Sequence, residues 1–187
     1  MRSITSTLRA AMKSWQARPT VRLIIQDRRT RWTTLHTLSS ATDTRVDLCS
    51  DGDGHLYAVR ADGSGNVQLC IIADPSIQSQ WNNWATIVAA DAVVYGDVAI
   101  EHMGGNNLRV AYVGSPYRIK AVESSDLGQN WGSPAAIVTG LTASPSVALS
   151  GDCCFLWGGG YLCCYESAWG AGAWSGPYNW SGTNSYT

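Results

Sequence analysis

The feature that most restricts this chain is a degenerate repeat organised around tryptophan. Trp81-Asn82-Asn83-Trp84-Ala85-Thr86-Ile87-Val88 aligns with Trp131-Gly132-Ser133-Pro134-Ala135-Ala136-Ile137-Val138, sharing the leading Trp and the closing Ile-Val. A third copy, Trp174-Ser175-Gly176-Pro177-Tyr178-Asn179-Trp180, keeps Pro177 and Trp180 in register. Glu123-Ser124 and Glu166-Ser167 stand at the same distance ahead of Trp131 and Trp174, and Asp74-Pro75-Ser76 precedes Trp81. The leading tryptophans are 50 and 43 residues apart, so one supersecondary unit of about 40–50 residues is used three times. Trp81, Trp131 and Trp174 are therefore expected to be structural.

Between these tryptophans the chain reads as short strands punctuated by Gly, Asn and Asp. The pattern predicts strands near 46–50, 55–60, 67–73 and 84–89 in a first unit (46–90). A second unit (91–140) has 97–102, 108–113, 117–123 and 134–139, and a third (141–187) has 145–149, 153–157, 161–166 and 177–180. Asp51-Gly52-Asp53-Gly54, Gly104-Gly105-Asn106-Asn107 and Gly158-Gly159-Gly160 read as the hairpin loops.

Ser124-Ser125-Asp126-Leu127-Gly128-Gln129-Asn130-Trp131 carries the clearest local signal. The Asp126 carboxylate is expected to accept backbone N–H groups two residues on, Gly128 to take a positive φ, and Trp131 to open the next strand. The run resembles the Asp-box (BNR repeat) of sialidase-like β-propellers, with Asn130 where those usually carry Thr. In that family Ser124, Asp126, Gly128 and Trp131 are structural and not catalytic. The resemblance implies an all-β chain of four-stranded, propeller-like blades. Propellers close with about four to eight blades, and an open array exposes strand edges that invite association. Three blades are therefore incomplete. The chain is the start of a longer product, several chains complete a ring, or the leading hairpin caps an edge.

Charge separates the leading segment from the rest. Residues 1–45 hold nine Lys or Arg against two acids, whereas residues 46–187 hold four basic residues against twelve acids. A basic arm thus precedes an acidic body. Ile4, Leu8, Met12 and Trp15 recur at helical spacing, which predicts a short amphipathic helix with a basic polar side. Pro19 ends it, and 21–25 and 32–38 read as a hairpin. No stretch approaches the ~18 apolar residues of a membrane span, and the opening lacks the apolar run of a secretory signal.

Candidate chemistry is sparse. A three-residue Gly158–Gly160 loop sets Cys154 opposite Cys164. Neighbours on a strand face opposite ways, so Cys153, Cys154, Cys163 and Cys164 cannot all converge on one ion. The expectation is buried free thiols and no metal or other cofactor, with a Cys154–Cys164 cross-strand disulfide as the alternative. Cys49 and Cys70 read as ordinary strand residues. Asp51-Gly52-Asp53-Gly54 departs from calcium-loop spacing and reads as a plain turn. A sialidase would need an arginine cluster, whereas the blades offer only Arg60, Arg109 and Arg118. Tyr165-Glu166 is contiguous, so its two side chains diverge. The chain is therefore expected not to be an enzyme. Trp157, Tyr161 and Trp169 are the candidates for stacking on a glycan.

Ser3-Ile4-Thr5-Ser6-Thr7-Leu8-Arg9-Ala10-Ala11-Met12-Lys13-Ser14, followed by Arg18-Pro19-Thr20-Val21-Arg22-Leu23, resembles the opening of tailed-phage tail-tip and hub proteins. That resemblance implies a docking arm, with Arg2, Arg9, Lys13, Arg18 and Arg22 as its contacts. It implies a non-catalytic virion-associated structural or adhesion protein, made in the host cytoplasm and carried on the tail or surface. Its partners would be other virion or assembly proteins through the arm and a cell-surface glycan through the blades. A homo-oligomer is expected, and nucleic acid is not an expected partner for the acidic body. Two alternatives stand beside this reading: a stand-alone oligomeric propeller lectin, and a fragment of a sialidase-like glycoside hydrolase.

Overall fold

The computed structural model describes residues 22–26, 32–37, 45–94, 96–141, 145–158 and 161–179. The chain divides into two compact units, Met1–Asp43 and Thr44–Thr187. In the first, β1 (Arg22–Gln26) pairs antiparallel with β2 (Trp32–Thr37), and the register shifts between Leu23 and Ile24. This is the expected hairpin. The expected helix, and with it Arg2, Arg9, Lys13 and Arg18, lies outside the described residues, and Arg22 opens β1.

The second unit is three four-stranded antiparallel meanders. The first blade is β3 (Val46–Ser50), β4 (Leu56–Ala61), β5 (Val67–Ile72) and β6 (Trp84–Val88). The second is β7 (Val98–His102), β8 (Leu108–Gly114), β9 (Arg118–Ser124) and β10 (Ala135–Val138), and the third is β11 (Ser146–Ser150), β12 (Cys153–Gly158), β13 (Tyr161–Glu166) and β14 (Ser175–Asn179). Every strand expected from the Gly-punctuated pattern is present, most within one residue of the expected bounds. β14 begins two residues early, at Ser175. One 3-10 turn, Gln78–Asn82, interrupts the β pattern between β5 and β6. No helix among the described residues is long and apolar enough to cross a membrane.

The blades stack face to face, with β7 beside both β3 and β11. Alternation along β8 explains how one blade serves two neighbours, since successive side chains leave a strand on opposite faces. Leu108, Val110 and Tyr112 pack toward Tyr57, Val59 and Leu69 of the first blade. Ala111 and Val113 pack toward Val147, Cys154 and Leu156 of the third. All seven residues of β8 are buried, and burying a branched aliphatic side chain contributes about 1.5–3 kcal/mol. Carboxylates pin the seams. Asp47 accepts the Ile100 N–H at 2.8 Å, and Asp97 accepts the Val147 N–H at 3.0 Å.

The third blade corrects the expected cysteine register. Gly158 belongs to β12 and pairs with Tyr161, leaving two residues instead of three for the turn. Every partner shifts by one, so Cys154 lies opposite Tyr165, Phe155 opposite Cys164, and Cys153 opposite Glu166. A shift of one residue exchanges the faces. Cys154 and Cys163 turn toward the second blade, and Cys153 and Cys164 share the face turned away from it. All six cysteines are free thiols. Burial pushes the Cys49 and Cys154 thiols up to about 12, which keeps both protonated and unreactive.

Candidate functional site

The segment after β9 folds as a turn knotted by its own side chains. The Ser124 hydroxyl donates to the Asp126 carboxylate at 2.8 Å and accepts the Gly128 N–H at 2.8 Å. Asp126 accepts the Asn130 backbone N–H at 2.8 Å and the Asn130 side-chain amide at 2.7 Å. The carboxylate therefore reaches four residues on, not the two expected, because the Ser124 hydroxyl takes the nearer N–H. Gly128 has the expected positive φ, 87°. Trp131 does not open a strand; β10 begins at Ala135. Instead its indole N–H donates to the Gly128 carbonyl at 3.0 Å, and its ring packs on the core between the first two blades. Trp81, its counterpart in the first blade, is fully buried and donates to the Pro75 carbonyl at 2.9 Å.

The same loop in the third blade has a different use. Ala168, Trp169 and Gly170 stand where Ser125, Asp126 and Leu127 stand in the second, so the carboxylate is replaced by an indole. That loop closes over Arg109, whose side chain is completely buried between the second and third blades. Arg109 Nε and Nη2 both donate to Glu123 Oε1, at 2.8 and 2.6 Å. Nη1 donates to the Ser167 carbonyl at 2.9 Å. The Trp174 ring centroid lies 5.0 Å from the guanidinium carbon, and that of Trp169 lies 5.7 Å away. Both are within the ~6 Å reach of cation–π attraction.

Glu123 is partly open to solvent. Its side chain is 28% exposed, and Oε2 accepts the Gly170 N–H at only 3.3 Å. A partly exposed carboxylate, the buried cation paired with it and two half-buried indole rings come together on a single seam. This set can take hydroxyl groups at the carboxylate and the apolar face of a small ring at an indole. At the other seam Tyr57 and Ile71, a directly opposed pair, occupy the places of Arg109 and Glu123. Tyr57 there packs into an apolar cluster that includes Leu127 and Trp131.

Of the residues expected to contact a glycan, the structure brings Trp169 to this seam. Trp157 lies on the opposite face of the third blade and is 59% exposed. Tyr161 opens β13, with its backbone alone described. Arg109 and Glu123 escaped the sequence reading as a pair, although the Glu-Ser repeat already marked Glu123. Trp174, expected to be structural as a repeat tryptophan, also walls the site. The Asp51 cluster closes a turn. Asp51 accepts the backbone N–H groups of Asp53 and His55, the His55 ring and the Tyr57 hydroxyl. Although burial alone would raise it, those donors hold it at about 2, as befits the plain turn expected there.

No protein-family model matches the sequence, and no curated protein matches it. Solved structures do match. BP39L lectin from Burkholderia pseudomallei superposes with a TM-score of 0.65 at 16% identity, over 87% of this chain and 49% of that one. The fold is of the β-propeller type. SapL1 lectin, solved with α-methyl fucoside, gives a TM-score of 0.57 at 17% identity, over 83% of this chain and 54% of that one. A mutant of Aleuria aurantia lectin, solved with α-methyl-L-fucoside, gives 0.55 at 12% identity, over 85% of this chain and 52% of that one. The chain spans about half the length of the structures it matches.

Proposed function

We propose that the unit Thr44–Thr187 is a carbohydrate-binding module whose site is the seam between its second and third blades. One observation carries the reading: the fully buried Arg109 is ion-paired to a Glu123 carboxylate that still reaches solvent, with Trp169 and Trp174 beside it. A guanidinium held out of water is costly unless it is paired, and the partly exposed carboxylate that pairs it keeps acceptor positions open to solvent. A sugar diol uses them, donating to the carboxylate while its C–H face covers an indole. A deoxyhexose with a methyl-bearing face is the first probe, since two of the structural neighbours are named as complexes with methyl fucoside.

The lectin reading is better supported than the virion-adhesion reading, because each structural neighbour reported above is a lectin and none is a virion protein. Docking through residues 1–45 stays a separate proposal. Binding without turnover is proposed, and a panel of aryl glycosides tests for hydrolysis. For binding itself, the full chain is titrated calorimetrically with methyl α-L-fucoside, methyl α-D-mannoside and methyl β-D-galactoside. Saturable heat with one of them, lost in Trp174→Ala, supports the reading. No heat with any sugar on a wider glycan panel overturns it.

A further inference from the structure

We propose that Cys153, Cys164 and Glu166 form a site for a thiophilic divalent metal ion, with Zn2+ as the first ion to consider. The site lies on the face of the third blade turned away from the second. Cys153 pairs directly with Glu166 across β12 and β13, and Cys164 sits two residues before Glu166 on β13, so all three leave the sheet on one side. Their ligand atoms lie within 4.8 Å of one another, and the Cys153 sulfur is 3.8 Å from a Glu166 oxygen. Among the described residues no other three His, Cys, Asp or Glu side chains converge in this way.

The spacing suits the ion. Bonds of about 2.3 Å to sulfur and 2.0–2.2 Å to oxygen in a tetrahedron place neighbouring ligand atoms about 3.6–3.8 Å apart. Small side-chain rotations close the set. Two thiolates and one carboxylate select zinc-like ions over Ca2+ and Mg2+, which prefer oxygen alone. Three protein ligands leave the fourth position for water or an outside donor.

Comparison of the blades gives a reason for the arrangement. Arg109 opposes Glu123 in the second blade as Cys153 opposes Glu166 in the third. The carboxylate has kept its place, a thiol has replaced the guanidinium, and Cys164 stands where Ala121 does two residues before the Glu. A bound dication sets a cation beside the carboxylate again, with its charge balanced by the two thiolates, and cross-links β12 to β13. Thiols on neighbouring strand positions diverge, which keeps Cys154 and Cys163 away from zinc at this face. Cys153, Cys164 and Glu166 share one face in the observed register.

The test uses the reduced, metal-free full chain titrated anaerobically with Co2+ and then Zn2+. The expected result is one Co2+ per chain, with a thiolate-to-cobalt charge-transfer band and the strong visible bands of four-coordination, both abolished by Zn2+. Cys153→Ala and Cys164→Ala should each remove the charge-transfer band. Glu166→Gln should keep a weakened band and lower affinity at least as much as the roughly 10–100-fold lost with an outer-sphere partner. Cys49→Ala, in the first blade, should bind as the parent does. Cys164 is buried, so the exposed Glu166 provides the reading if Cys164→Ala folds poorly. Absence of the band in the reduced parent overturns the proposal, as does binding that survives both Cys153→Ala and Glu166→Gln. A Cys153–Cys164 disulfide that forms in air, with no metal affinity after reduction, also overturns it.

Discussion

Arg109 Nη1 donates to the carbonyl oxygen of Ser167 at 2.9 Å, so a side chain of the second blade terminates a backbone group of the third. The contact spans 58 residues of sequence and is buried. It fixes the loop that carries Trp169 and Trp174 against the Arg109–Glu123 pair. One guanidinium thus bears on both the site geometry and the stacking of these two blades.

Replacing Arg109 should damage both. Arg109→Ala leaves Glu123 Oε1 and the Ser167 carbonyl without their donor. Because Glu123 is partly exposed, the cost should fall at or below the low end of the about 3–5 kcal/mol of a fully buried pair. Urea unfolding should show a lower midpoint with an unchanged slope. Arg109→Lys keeps the charge but loses the forked donor set. It should unfold closer to the parent while sugar binding is still lost.

Two tryptophans of the third blade should separate cleanly. Trp174→Ala removes a wall of the seam and should abolish calorimetric binding. Trp157 is exposed on the other face, so Trp157→Ala should bind sugar normally and change stability by no more than about 0.5 kcal/mol.

Gly128→Ala tests the turn after β9. The position needs a φ of 87°, and an added Cβ would stand 2.6 Å from Leu69 Cδ2 in the core. The left-handed conformation costs about 1–2 kcal/mol and overpacking a further ~1–3. Thermal unfolding should fall accordingly, with binding at the other seam retained.

Acid should remove the contribution of Asp126. The Asn130 backbone N–H, then the Asn130 amide and the Ser124 hydroxyl, hold its carboxyl at about 2, against about 3.9 in an unfolded chain. A depressed folded value means that the unfolded state takes up the proton first. The stabilisation is therefore complete above about pH 4 and fades as pH falls toward 2. The stability difference between the parent and Asp126→Ala, followed by denaturant unfolding, should be constant from pH 7 to about 5 and shrink below 4.

The strands were legible because short apolar and β-branched runs are bounded by Gly, Asn or Asp at the hairpin turns. Gly158-Gly159-Gly160 was not, since three glycines permit a two- or a three-residue turn and only the pairing of Gly158 with Tyr161 decides. The Asp126 turn was legible in its residue types but not in which N–H each acceptor takes. The candidate site was half legible. Trp169 stood out as an aromatic near a loop, but Arg109 gained meaning only once β8 was paired with β9 and the third blade was stacked on both. Composition marked Arg109 as one of a few scattered basic residues, and burial at a seam is not a local property of sequence.

β8 carries buried side chains on both faces, so the second blade cannot open without exposing both of its seams to water. Amides of Leu108–Gly114 should accordingly exchange with solvent only through the largest opening available to Thr44–Thr187, while those of β6 and β14 exchange through smaller ones. The three blades are then one cooperative unit in unfolding, although each reads in the sequence as a separate repeat.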